Sequence, residues 1–158
     1  MSIIYDFVDP VQFLNDFTVA ALAQSTESPH FKGVSAVMAT DRIGIDLSSV
    51  TPVVVIHLDE ARPIDNLATG AGAQLDAEWQ LIVDGTDLQE PPSALAVRLL
   101  KALVWATGNG TQTSEGVATE LEVTSLPVPV LGLQDATLVS YAIAATITVQ
   151  KESRHGFS

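Results

Sequence analysis

The sequence predicts an α+β fold: a mostly antiparallel sheet with two helices packed on one face. Two segments, 9–25 and 90–108, combine helical apolar spacing with residues that start and stop helices. Between and after them lie short β-branched or alternating segments that mostly follow one another along the chain, which favours antiparallel neighbours. The predicted order is α-β-β-β-α-β-β, and it ends in a long strand at 138–150.

Length and composition limit the class of protein. The 158 residues suffice for one domain, predicted at 1–150, followed by a flexible tail at 151–158. The absence of cysteine excludes disulfides, thiolate metal sites and cysteine nucleophiles. The start MSIIYDFVDP lacks the basic segment of a signal peptide, and no apolar run approaches the roughly 18 residues of a membrane span. We therefore expect folding in the cytosol and no membrane contact.

Charge is scarce and unbalanced. Charged residues make up 16% of the chain, below the usual quarter, which indicates surface hidden in an assembly; a monomer with a Ser/Thr/Ala-rich surface is the alternative. Nineteen acidic and seven basic residues give a net charge of −12, which disfavours binding to nucleic acid. An acidic wall suits a conduit that DNA passes without sticking, although solubility alone also explains the charge.

The sequence contains clear signals for the start of the first helix. Asp9 stands at a capping position, Pro10 fits the first turn, and Gln12 has the spacing of a capping box. Its apolar stripe consists of Phe13, Leu14, Phe17, Ala21 and Leu22.

Strand candidates follow the first helix. Segments 34–40 and 42–47 are ambiguous, whereas 51–60 contains a β-branched run that predicts burial on both faces. A loop is expected at 60–72 and a strand at 73–85. Alternation in that strand separates Ala77, Trp79, Leu81 and Val83 from Glu78, Gln80 and Ile82.

The second helix is apolar around most of its circumference, which predicts burial on more than one side. Ser93 is its expected cap and Gly108 its end. Its charged stripe of Arg98, Lys101 and Trp105 is a candidate partner-binding anchor, because Trp and Arg dominate interface energetics. The alternative is a Trp packed beneath the adjacent loop.

Two strands complete the chain. The first, 117–126, places Glu120 and Glu122 on one face, and two prolines in the connection 127–136 exclude a central strand there. The second, 138–150, has an even-numbered face of small, uncharged residues. We expect this face to be covered by the protein's own helices or, for at least part of it, by a neighbouring subunit. The candidate interface residues are Ala142, Ala144, Thr146 and Thr148.

No common catalytic motif is present: the chain has no phosphate-binding glycine loop, no nucleophile elbow and no HExxH. His57 and Asp59 are expected to share a strand face and, with Asp41, define an alternative function as a small metal-dependent hydrolase. The simpler interpretation is a hydrogen-bonded His57 at the end of a buried strand. We expect no catalytic residue, no metal and no cofactor.

The segments TPVVVIHLDE, AEWQLIVDG, SALAVRLLKALVWA and LVSYAIAATITVQ, in this order after an amphipathic helix, carry a resemblance. Over roughly residues 9–150 the layout resembles the tail terminator (tail completion) proteins of long-tailed bacteriophages. The likeness concerns the order, size and character of the elements rather than a signature motif.

This resemblance implies a virion protein, assembled in the host cytoplasm, that forms a homo-oligomeric, hexameric ring at the head-proximal end of the tail. Its partners would be the tail tube protein, the head-neck connector and, in contractile-tailed particles, the sheath. The ring would stop tube polymerisation, and DNA would pass through its lumen without specific binding. Candidate lumen-facing acids are Asp76, Glu78, Glu120 and Glu122. Another neck or head-completion ring protein is an alternative, as is a monomeric binding module that uses the Trp105 stripe.

Overall fold

A six-stranded mixed sheet with two helices on one face forms the fold. The computed structural model describes residues 3–4, 7–39, 52–64, 70–86, 90–130, 137–152 and 154–155. Its helices are α1 (Pro10–Gln24), a 3-10 helix (Ser28–Phe31) and α2 (Pro92–Gly108). Its strands are β1 (Ile3–Ile4), β2 (Ser35–Met38), β3 (Val53–Ile64), β4 (Gly70–Asp84), β5 (Gln112–Thr113), β6 (Gly116–Pro129), β7 (Leu138–Glu152) and β8 (Arg154–His155).

The strand order is β2-β3-β4-β7-β6-β5, and β1 pairs with β8 in a separate two-stranded ribbon. The α+β class, the two helices and the long C-terminal strand are confirmed. The predicted order and antiparallel character match in part, because β2 and β3 are parallel and β1, β5 and β8 are additional strands. A parallel pair needs a long connection, which residues 39–52 provide. The candidate strand 42–47 lies outside the described residues.

The core lies between the two helices and one sheet face. Ala77, Trp79, Leu81 and Val83 of β4 are buried there, as predicted from their alternation. Phe13 and Phe17 of α1 stack with ring centroids 5.3 Å apart. The apolar stripe predicted for the first helix is therefore its core-facing side.

Capping of α1 differs from the prediction in one bond. The Asp9 carboxylate accepts from the backbone N–H groups of Val11 and Gln12, both at 3.1 Å. In a capping box the Gln12 side chain would return a bond to the Asp9 N–H. That N–H instead donates to the Glu115 carboxylate at 2.8 Å, while Gln12 donates to Asp16. The helix start is thereby joined to the β5–β6 turn.

The predicted cap of α2 is wrong. Pro91 occupies the cap position and Ser93 lies inside the first turn, because the paired prolines fix the helix start before the serine is reached. Burial of the helix on more than one side, by the core and by a neighbouring subunit, stays a prediction. Val97 and Val104 are 41% and 48% exposed, so one long side of α2 faces outward.

The β3–β4 hairpin extends into the predicted loop 60–72. Among the described strands, β3 has no partner on its β2 side beyond Ile56 and forms an edge there, where a proline such as Pro63 is tolerated. The prolines therefore mark an edge rather than the end of the strand. The same reason explains why β6 continues through Pro127 to Pro129.

Strand β7 lies in the middle of the sheet, between β4 and β6. It continues through Lys151 and Glu152, past the predicted start of the tail. Lys151 pairs with Glu115 at 3.0 Å and donates to the Phe7 carbonyl, which joins the strand end to the start of the chain.

Candidate functional site: the open face of the sheet

The sheet side opposite the helices, here called the open face, gathers the four predicted lumen acids, whereas Val53, Val55 and Ile82 on the same side are buried in a second, smaller apolar cluster. Cross-strand partners lie on the same face of a sheet. Asp76 on β4 is opposite Thr146 on β7, and Thr146 is opposite Glu122 on β6. By the same pairing, Glu78 is opposite Ala144 and Glu120 opposite Thr148. Two acidic columns, on β4 and β6, therefore flank the small residues of β7.

A register row extends this arrangement across four strands. Glu60 of β3, Asp76, Thr146 and Glu122 are consecutive partners, so three carboxylates lie in one row. Glu120 and Glu122 are exposed. Among the residues the structure describes, no ion pair involves Glu78, Glu120 or Glu122, so these carboxylates leave the face strongly negative.

Arg62 partly neutralises one end of the row. Its guanidinium donates to both carboxylate oxygens of Asp76, at 2.8 and 3.2 Å, and to the Gln74 amide oxygen, and it pairs with Glu60 at 3.0 Å. The Thr146 hydroxyl also donates to Asp76, at 2.8 Å. These hydrogen bonds, Arg62 first and Thr146 second, hold the pKa of Asp76 below its usual value. Asp76 therefore stays ionised into acidic solution.

Sequence reasoning missed the Arg62–Asp76 pair because it placed Arg62 in a loop. The pattern that identifies the pair is an alternation: Glu60 and Arg62 are two residues apart, as are Gln74 and Asp76. When the hairpin is extended, Arg62 lies opposite Gln74 and Glu60 opposite Asp76. This charge complementarity across the hairpin is the sequence signal from which the longer strands could have been predicted.

The candidate interface residues of β7 share the open face with the acids. Ala142 is buried and Ala144, Thr146 and Thr148 are half-buried, between the columns of β4 and β6. Thr146 bonds to Asp76, so it belongs to the polar network. Two predictions thus concern the same surface: β7 predicts that a neighbouring subunit covers it, and the acids predict that it faces a lumen. Both cannot hold for the same stretch.

The Arg98, Lys101, Trp105 stripe is divided by the structure. Arg98 forms ion pairs with Glu27 at 2.9 Å and Glu90 at 2.8 Å, and its hydrogen bonds lower the pKa of Glu90. Trp105 is half-buried and packs against the core. Only Lys101 of the three is exposed. Arg98 and Trp105 thus make contacts within the chain, and the use of the stripe as a binding anchor stays a prediction.

The hydrolase candidates are not assembled into a metal site. His57 is half-buried opposite Glu78, whereas Asp59 lies at a register shift between Leu58 and Glu60. Asp41 lies outside the described residues. Within the described part of the chain, no group of three or more His, Asp or Glu side chains has a geometry that could hold a metal ion.

Comparison with known proteins adds no relative. No protein-family model matches the chain, and no curated protein sequence matches it. In the described ranges, neither α1 nor α2 is long and apolar enough to cross a membrane.

Proposed function

We propose that this chain is a structural subunit of a ring at the head-proximal end of a phage tail tube. The ring ends tube polymerisation, presents a docking surface to the head-neck connector and, where a contractile sheath exists, to its last ring. DNA passes through its lumen during ejection. A related neck ring of similar size is the nearest alternative function.

The observation that supports this proposal is the composition of the open face. Its acids stand in two columns separated by Ala and Thr, and Arg62, the arginine among the described residues of this face, is bound to Asp76. A negative, smooth wall repels the DNA backbone, which carries one charge per roughly 1.7 Å of duplex. A conduit needs such a surface because any tight contact would arrest the passing DNA.

In this proposal the open face lines the lumen, and neighbouring subunits contact other surfaces. Ala144→Lys separates the two predictions made for the face. If a neighbour covers Ala144, the buried lysine prevents assembly. If the lumen lies there, the variant assembles like the wild type, because its ammonium group stays in water. We expect assembly, measured by sedimentation velocity of both chains.

Mass in solution over a concentration series, with negative-stain images of any large species, tests the ring. The expected result is a closed ring of several copies with a central hole. A monomer at every concentration contradicts spontaneous ring formation and favours the binding-module or enzyme alternatives.

Position in the particle is tested separately. Antibodies against the chain, applied to tailed particles from its source and visualised with gold, should label the head-tail junction. Label along the tube, at the tail tip or nowhere on the particle would contradict a terminator role.

A further inference from the structure

We propose that neighbouring copies of this chain join edge to edge, with β6 of one copy adding antiparallel to β2 of the next. The inference rests on the proposed function and deepens it, because it names the contact that would close the ring.

Within the part of the chain that the structure describes, both edges of the sheet are open. The order begins with β2 and ends with β6 and the short β5, which pairs only with Gly116 and Val117 of β6. Among the described residues, no strand pairs with the outer side of β2, and none pairs with the side of β6 that faces away from β7 from Glu120 onward. Unpaired backbone N–H and C=O groups along an edge are a template for strand addition.

The outward-directed groups of β2 follow from its ladder. The Ser35 N–H donates to the Pro52 carbonyl at 3.2 Å, so the Ser35 backbone points toward β3. Alternate residues of a parallel strand point to opposite sides in the plane of the sheet. The N–H and C=O groups of Ala36 and Met38 therefore point away from the molecule, toward an incoming strand.

The two edges match in length. Strand β2 has four residues, Ser35–Met38. The register of β6 with β7 is regular over Glu120–Val123 and shifts on either side of that stretch. Farther along, Pro127 and Pro129 lack N–H groups and cannot donate hydrogen bonds to a strand added at the outer side of β6. The regular, proline-free part of the β6 edge is thus as long as the strand it would meet.

Strand direction gives the antiparallel geometry. Strands β2, β3 and β7 run in one direction, and β4 and β6 run in the opposite direction. A second copy rotated about an axis along the strands therefore presents its β6 antiparallel to β2 of the first. Repeating this head-to-tail contact closes a ring and keeps every helix pair on the same side.

The side-chain faces and the charges of the two edges favour β2, rather than a second copy of β6, as the partner of β6. Ser35 and Val37 lie on the open face, like Glu122, because their partners are Val53 and Val55. Two antiparallel registers of β6 against β2 keep the open faces of both copies on the same side. In one register Glu122 is opposite Ser35, and in the other it is opposite Val37. Strand β2 carries no charge, whereas β6 against β6 would bring acidic residues of two copies together, which is destabilising.

Cross-linking of introduced cysteines tests the contact, and the chain has no cysteine of its own. Glu122→Cys protein is mixed, under assembly conditions, with Ser35→Cys or with Val37→Cys protein and oxidised. Opposed residues in antiparallel strands have Cα atoms about 4.5–5.5 Å apart, within the range that a disulfide spans. The control mixture pairs Glu122→Cys with Val97→Cys, which places the second thiol on the outer side of α2.

We expect one Glu122→Cys mixture to give a linked dimer at roughly tenfold the control yield or more, because a formed contact raises the local thiol concentration. Each single variant alone should give none. A linked dimer from Glu122→Cys alone would indicate β6 against β6 and overturn the proposal. A ring in the mass measurement without the mixed cross-link overturns the edge pairing and leaves the proposed function standing. A wild-type chain that forms no ring overturns both.

Discussion

At the scale of single residues, the bond between Trp79 and Thr18 fixes α1 on the sheet. The indole N–H donates to the Thr18 hydroxyl at 2.9 Å, and both residues are fully buried. Thr18→Val keeps the shape and leaves the indole donor unsatisfied, which costs about 1–3 kcal/mol of unfolding free energy. Urea denaturation measures the loss. Thr18→Ser, which keeps the hydroxyl, should lose less; an equal loss would show that the methyl group, not the bond, matters.

A second residue-scale prediction concerns acid. The folded-state pKa of Asp76 is depressed, first by Arg62 and then by Thr146, so its stabilisation is present above the unfolded pKa of about 3.9. It is lost as the pH falls through the lower, folded value. Asp76→Asn should therefore be less stable than the wild type at pH 7, and the gap should close on acidification. Chemical denaturation at several pH values measures it.

A gap that stays constant down to low pH would contradict this assignment of the Asp76 charge. Asp16→Asn, on the outer part of α1, serves as the comparison because Asp16 has hydrogen bonds but no ion pair within the described residues.

Residue-level features that depend on strand alternation were predictable from the sequence. The core side of β4 and the shared face of Glu120 and Glu122 follow from period two alone. The ion pairs of Arg98 were not, because Glu27 is 71 residues away from it along the chain and only the packed fold brings the two together.

At the scale of elements, the β5–β6 turn depends on Gly116. Its φ of +119° is unfavourable for other residues, and a Cβ there would collide with the Gln150 carbonyl of β7. Gly116→Ala should destabilise the protein by roughly 1–3 kcal/mol or more, read from the thermal midpoint. The control is Gly108→Ala at the end of α2, where an added Cβ meets nothing within 4 Å. Similar midpoints for the two variants would argue against this turn conformation.

Elements with strong local patterns were predicted, and their ends were not. Strand β3 and its partner β4 are longer than expected because pairing, rather than local preference, holds the residues around Arg62 and Gly72 extended. The parallel placement of β2 was also beyond reach, since a four-residue strand carries no information about its direction.

At the scale of the whole molecule, the acidic open face should decide how the chain meets DNA. Glu122→Lys raises the net charge by two at that face, and the double change Ala23→Lys, Gln24→Lys raises it equally on exposed positions of α1. If the open face lines a lumen, the first variant should retain duplex DNA in ring preparations at low salt and the second should retain less. Gel retardation at matched protein concentration measures the difference.

Equal retention by both variants would mean that net charge alone governs DNA contact and that the open face has no special access to it. Retention by neither, in rings of normal mass, would place Glu122 away from the DNA path. Sequence alone predicted the acidic imbalance, but its collection on one side of the sheet depended on the strand order, which local patterns do not contain.

The β1–β8 ribbon has a practical consequence for engineering. Ile3 is the register partner of His155. A few residues farther into the chain from each of them, Lys151 donates a hydrogen bond to the Phe7 carbonyl. The first and last described strands are therefore neighbours in space, so a short peptide can join β1 to β8 without spanning the molecule. A circular permutant opened at the exposed turn after α2, near Gly110, would keep every strand pair, because the cut falls between α2 and β5.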